Sequence, residues 1–495
     1  MTTEWLPLAM VLVSLIAGVI IFLLGEQRQL ARTLLNLGAA LVKLALVAFL
    51  SMLVVTDRAP EFRLALLPGL DLVLRADALS LLFTTLSAVL WLITTVYAIA
   101  YLERSENRAR FFGFFSICVA STMGIAMAGN LFTFFIFYEL LTLATWPLVA
   151  HSGSRAAILG ARTYLRYTLG GSAVFLVGLI WLYGLAGSRD FIAGGQLDEI
   201  GIAQHLDLQI IFVMLVIGMG VKAALVPLHS WLPKAMVAPA PVSALLHAVA
   251  VVKAGAFGLV RLVEDVYGPE LVAELGMNHL LAVAAAVTII YGSVMALRQT
   301  DIKRRLAFST VSQVSYIALG IAVGGVMATT GGMVHLVHQG LMKITLFFCA
   351  GIFATVLGVK CIDQLDGLGR RMPWTTLSFT IAGLGMIGLP PMAGFVSKYY
   401  LGAGAIAVGA WWVIPVLIAS TLLNAAYFLP LIKRMWMHPE PGEWPHPVNL
   451  SRMETGGLVI PTVMTAIISV LTGLFAAHPL SPLSWVMGIV TEYFP

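Results

Sequence analysis

An all-α, polytopic bundle of about fourteen transmembrane helices is the fold expected of this sequence, and three observations point to it. Hydrophobic residues fill 60% of the 495 positions and charged residues only 11%, against roughly 25% charged in an ordinary soluble domain. Apolar stretches of about 20 residues, the length that crosses a bilayer, recur along the whole chain. The basic residues crowd into alternate loops, as they do when cytoplasmic loops are enriched in Lys and Arg.

The elements follow in order. The first stretch, 5–24, has no positive leader and no small-residue cleavage site, so it reads as a retained helix rather than a signal peptide. Further spans fall at 31–55, 78–101, 110–129, 131–150, 163–187, 208–227, 240–262, 279–298, 304–325, 328–358, 374–402, 409–433 and 456–476. The closing segment, 477–495, is short and aromatic, and is expected to lie at the interface. With the N-terminus outside, the odd-numbered loops are cytoplasmic and hold 19 of the 29 lysines and arginines. The even-numbered loops hold only Arg58, Arg63, Arg75, Arg189 and Arg261. One miscounted helix midway would erase this bias, so both termini are expected on the outer side.

Composition also excludes. A net charge of +5, scattered along the chain, is no nucleic-acid surface. Cys118, Cys349 and Cys361 are spaced neither as a disulfide framework nor as metal ligands, and read as small apolar residues. There is no GxGxxG, P-loop, CxxC pair or haem-like ligand set, so no cofactor is expected and any redox chemistry belongs to another subunit.

Five lysines remain inside helices: Lys43, Lys222, Lys253, Lys343 and Lys398. Among the 24 acids only Glu139 falls deep within a helix, the others lying in loops or at helix ends. Each such charge opposes insertion by about 2.5–3.5 kcal/mol, so it must be paired, hydrated or neutral, and function is the default reading. A buried amine suits proton relay because burial disfavours its charge and a nearby carboxylate restores it. Glu139 and Lys222 are the natural pair; a static ion pair fixing the packing is the competing reading. Lys43 stands apart on helix 2 and is expected to snorkel or to face a neighbouring subunit.

Histidines extend the pattern. His247 precedes Lys253 by six residues, too far to share a helical face, though water could join them. His335 and His338 are one turn apart, and Lys343 follows two turns after His335, so this group can face one groove. Two histidines with no acid nearby favour a relay over a metal site. A satisfied core histidine is the plain alternative for either.

Prolines break two segments. One holds Pro227, Pro233, Pro239 and Pro241; the other holds Pro390 and Pro391. Interrupted helices in both halves of a chain point to an inverted repeat with its site near the midplane. Lys222 lies five residues before Pro227 and Lys398 seven after Pro391, beside backbone that a helix break opens to water.

The runs HSWLPKAMVAPAPVSALLHAVAVVKAG, QTDIKRRLAFSTVSQVSYI and GLPPMAGFVSK resemble the antiporter-like subunits of respiratory complex I and of Mrp-type cation/proton antiporters. The resemblance covers helices 4 to 13, and membrane-bound hydrogenases carry similar subunits. It implies inverted five-helix repeats, helices 4–8 (110–265) and 9–13 (266–436), with helices 7 and 12 broken. An N-terminal group (1–109) and a C-terminal helix with its tail (437–495) would flank them. It also implies an axis in which Glu139 modulates Lys222 and protons pass through Lys253, His247 and the helix 11 group (His335, His338, Lys343) to Lys398. Two positions depart from the pattern: Gln339 stands where many members have histidine, and Lys234 where many have aspartate after WLP. The absence of a long lateral helix favours an Mrp D-like or hydrogenase-type protein.

The leading expectation is a proton-translocating subunit of a multi-subunit Na+/proton antiporter in the cell inner membrane. Its partners would be other membrane subunits and the lipid bilayer. Alternatives are the pump module of a complex I-like or hydrogenase-like redox enzyme, a proton-coupled subunit for inorganic-carbon uptake, and a structural scaffold.

Overall fold

The computed structural model describes residues 3–56, 58–198 and 200–494. Among them, thirteen helical spans are long and apolar enough to cross a membrane. The N-terminal helices are α1 (Leu6–Leu24), α2 (Gln29–Val55) and α3 (Ala78–Tyr101). Next come α4 (Arg108–Ala126), α5 (Leu131–Val149), α6 (Arg155–Ala186), α7 (Ile202–Val237) and α8 (Ala240–Tyr267). They are followed by α9 (Met277–Leu297), α10 (Ile302–Val323) and α11 (Val326–Leu357). α12 is two half-helices, Pro373–Ile387 and Ala393–Ala407, each of 15 residues and too short to cross alone. It supplies the fourteenth crossing that the sequence predicts. α13 (Val413–Met437), α14 (Arg452–Leu474) and the short α15 (Pro482–Tyr493) complete the chain.

Polar side chains start several helices where the apolar runs begin. Asn130 accepts from Thr133 N, Asp301 from Arg304 N, and Asp77 and Ser451 form reciprocal capping boxes. Each satisfies backbone donors that lipid could not.

Three helices are broken, one more than expected. α7 runs regularly only over His205–Ala223, ending on Ala224 at φ 59°, and then unwinds through Pro227. Trp231 Nε1, of the WLP run, donates to the Val221 carbonyl at 2.6 Å beside the Ala224 N–H. α12 breaks over residues 388–392. α8 also breaks, between Ala248 and Val251, with Ala250 at φ −92°, ψ −98°. No proline marks that break. It packs on Gly340 of α11, where a Cβ would stand 2.9 Å from Ala248 O.

The loop between α2 and α3 is not irregular. Strands β1 (Glu61–Leu67) and β2 (Leu70–Arg75) pair antiparallel, Glu61 opposite Arg75, around a turn at Gly69. The alternation EFRLALL-PG-LDLVLR carries this signal; the apolar strand residues make it read as an ordinary loop beside long membrane helices. Arg63 pairs with Glu61, Asp71 and Asp190, and Arg75 with Glu61 and Asp190, tying the hairpin to the loop after α6. That face of the bundle is the hairpin face; the opposite one, with Arg104, Arg108, Arg298 and Lys360, is the basic face.

α8 and α10 lie innermost and are almost wholly buried. α1, α2, α13 and α14 turn apolar side chains outward, Leu23 being 81% and Leu422 65% exposed. The segment after α14 is not a loose interfacial tail: α15 docks on α3 and α11, burying Val486, Val490 and Tyr493.

Candidate functional site

The buried charges lie on the inner helices and at the breaks. Lys222 occupies the last turn of the regular part of α7, fully buried. It donates to the Tyr138 carbonyl and sits 3.3 Å from the centroid of the Tyr138 ring. Glu139 is half-buried and accepts from Ser172 on α6. The expected pair is therefore not a direct ion pair. The two groups are electrostatic neighbours joined through the backbone of α5. The reason is helical geometry, since consecutive residues point about 100° apart.

Lys253 is fully buried in the first turn after the α8 break, and its Nζ has no hydrogen-bond partner among the described residues. The α8 and α7 backbones touch here. A Cβ on Gly255 would stand 2.2 Å from Ala223 N and 2.7 Å from Lys222 C. His247 ends the preceding half-helix, stacked on Phe347 at 4.4 Å with Nε2 3.4 Å from Met236 Sδ. Phe347 is one turn from Lys343, so His247 and Lys343 are electrostatic neighbours. Lys343 donates to Ser309 Oγ and to Leu306 O (3.1 Å) on α10.

His335 bonds Ser397 Oγ of α12 at 2.8 Å and lies 5.2 Å from the Tyr316 ring. His338 faces the backbone of Ala393 without a hydrogen bond of ordinary geometry. Both histidines, with Lys343, are neighbours of Lys253. Lys398 is caught by the carbonyls that the α12 break frees: Ile387 O at 2.7 Å and Met386 O at 3.3 Å, with Thr421 Oγ1 at 3.2 Å. It also lies 5.5 Å from the Tyr316 ring, against whose other neighbour, His335, it is electrostatically linked. Gln339 is buried with both amide atoms unpartnered, whereas Lys234 is exposed at the basic face.

The result is a line of titratable groups: half-buried Glu139, fully buried Lys222, Lys253, His247, Lys343, His338 and His335, then half-buried Lys398. The two ends are half-buried and the middle is fully enclosed. Amines and imidazoles with unmet hydrogen-bonding capacity in a closed polar seam suit water-bridged proton transfer. A cavity of about 720 Å³ on the basic face is bounded by Met236, His151, Asp301, Lys303 and Lys360, and Met236 stands between it and His247.

Lys43 lies off the line. It is neither snorkelling nor facing outward; it is fully buried, donating to Ser14 Oγ and lying 4.5 Å from the Trp91 ring. Spacing alone does not reveal that α1 and α3 close over this face of α2.

Sequence reasoning missed five groups. His229, in the unwound part of α7, is buried against Tyr291; the HSWLP run contains it. Arg261 and Asp265, expected in a loop, are buried within α8 and ion-paired at 2.7 Å. Glu264 is buried between them in sequence, with neither carboxyl oxygen partnered. A π-helical turn over Leu262–Tyr267 carries α8 further than its hydropathy suggests. Arg32, also expected in a loop, is buried on α2.

Fold and site together define a polytopic membrane subunit with a polar seam of titratable side chains across its interior. The chain belongs to the NADH:quinone oxidoreductase/Mrp antiporter transmembrane family, whose pattern matches residues 128–424. It is 36% identical to the N subunit of NADH-quinone oxidoreductase from Desulforudis audaxviator (strain MP104C), over 82% of each chain. It is 25% identical to the D subunit of the Na(+)/H(+) antiporter from Alkalihalophilus pseudofirmus, over 83% of this chain and 81% of the relative. The solved Mrp complex from Dietzia sp. DQ12-45-1b contains a chain of the same fold, with a TM-score of 0.84, 22% identity and all of both chains covered.

Proposed function

We propose that this chain is the proton-translocating membrane subunit of a multi-subunit Na+/proton antiporter. Protons move along Glu139, Lys222, Lys253, His247, the α11 group and Lys398. The observation that carries the reading is the seam itself, in which buried amines and imidazoles connect two broken helices while Lys253, His247, His335 and His338 keep unpartnered polar atoms that water can bridge. Residues 110–265 and 266–436 act as the two inverted repeats. The basic face is cytoplasmic, both termini lie outside, and the membrane is the cell inner membrane. The large basic-face cavity admits protons, reaching His247 past Met236. The transmembrane potential supplies about 2.3 kcal/mol per charge per 100 mV.

The test is transport by the whole complex in proteoliposomes. Lys222→Ala and Glu139→Ala should abolish coupled transport while the complex still assembles. Wild-type rates with Lys222→Ala would refute the axis.

A second reading, a proton-pumping module of a redox enzyme, draws on the 36% identity to the quinone oxidoreductase subunit. Sodium-driven proton movement by the purified complex without an electron donor separates the two: its occurrence supports the antiporter, and its absence with donor-dependent pumping supports the redox module.

A further inference from the structure

Glu264 is the feature the axis does not use. Among the described acids it alone has both carboxyl oxygens buried and unpartnered. A structural acid at such depth is expected to be hydrogen-bonded or ion-paired. The nearest guanidinium is already engaged: Arg261 donates to Asp265 at 2.7 Å and to both oxygens of Asp77 at 2.8 Å. Two carboxylates against one cation leave no counter-charge for a third. Glu264 therefore needs a proton, a small cation or water beside it.

Its position is directional. Lys253 and Glu264 are eleven residues apart on α8, about three turns that run from the α-helical part into the π turn, and so lie about 16 Å apart along the axis. Lys253 lies in the seam and Glu264 toward the hairpin face. Gln313 on α10, beside His335, is likewise buried with its amide unpartnered, and α10 also packs on the Leu262–Tyr267 turn that carries Glu264. Asp265, the next residue, lines a cavity of about 230 Å³ with Asp77, Arg261, Ile489, Glu492 and Tyr493. Asp77 is 31% exposed there. The local backbone is held: Gly194 N bonds Glu264 O at 3.0 Å, and a Cβ on Gly268 would stand 1.9 Å from Gly194 O.

We propose that Glu264 is a proton-binding site giving the Lys253 cluster its own outlet to the hairpin face, through the Asp77–Arg261–Asp265–Tyr493 cavity. An N–H bond of the Lys253 ammonium breaks, water carries the proton, and an O–H bond forms on Glu264. That O–H then breaks as solvent in the cavity takes the proton, and the neutral amine is reloaded from the seam. Asp265 and Tyr493 are the electrostatic neighbours of Glu264; Arg261, Asp77 and Glu492 line the cavity beside Asp265, and Lys253 lies three turns earlier on α8. This rests on the proton-conduction reading above.

The experiment compares proton transport by the complete complex in proteoliposomes for Glu264→Gln, Glu264→Asp, Ile489→Trp and Lys222→Ala. Glu264→Gln should slow transport about tenfold or more, Glu264→Asp should restore much of it, and Ile489→Trp, which fills the cavity, should also slow it. Infrared difference spectra after a pH jump should show a protonated-carboxyl band that Glu264→Gln removes. Full rates in both Glu264→Gln and Ile489→Trp, with Lys222→Ala inactive, overturn the outlet and leave the axis standing; full rates in all four sink both. Should Glu264→Gln fail to assemble, Ile489→Trp decides alone.

Discussion

Lys222 lies 3.3 Å from the centroid of the Tyr138 ring and donates to that residue's carbonyl, while Glu139 turns away toward Ser172. An aromatic face and a carbonyl offset part of the cost of burying an amine without a fixed carboxylate. Glu139 can then act on Lys222 at a distance, and its own hydrogen bond sets how strongly. Ser172→Ala should slow proton transport several-fold, within about tenfold, as expected from losing one hydrogen bond to a charged group. An unchanged rate would show that Ser172 is only a packing neighbour.

The contact between α7 and α8 has no spare room. Gly255→Ala puts a methyl 2.2 Å from Ala223 N, against backbone that cannot yield as a side chain would. The substitution should cost about 1–3 kcal/mol of stability and disturb Lys222, lowering both thermal stability and transport. Gly184→Ala, with nothing within 4 Å of the new methyl, should leave both unchanged. Melting of the purified complex, read beside transport, checks the pair.

Lys43 is a packing residue by its surroundings. Lys43→Ala removes a fully buried side chain and should destabilise by about 2–5 kcal/mol, with Lys43→Met milder. Transport per assembled complex should stay near wild type in Lys43→Met. A complete loss there would place Lys43 on the proton route.

The hairpin should respond to acid. Burial pushes the Glu61 carboxyl up, but Arg75 and Arg63 outweigh it and hold it below the usual carboxylate range. A folded-state value below the unfolded one contributes stability that is full above about pH 4.3 and is lost as the pH falls through the folded value. Amide exchange over residues 61–75 should therefore rise on acidification before the bundle helices respond. Glu61→Gln should remove that step; an exchange rate independent of pH in the wild type would exclude this origin.

The membrane helices were legible in the order of residues, because lipid requires about 20 apolar residues per crossing and any departure shows in composition. So were the lysines inside helices and the proline-marked breaks in α7 and α12, since charge and proline are costly there and stand out. The break in α8 left no such mark. It depends on Ala248 packing against Gly340 of α11, a contact between residues distant in the chain. Only the packed bundle settled that Glu139 bonds Ser172 and not Lys222, that Lys43 is enclosed, and that Arg261, Glu264 and Asp265 are buried. Hydropathy reports how a segment prefers its solvent, whereas burial of a charge depends on which other helices close over it.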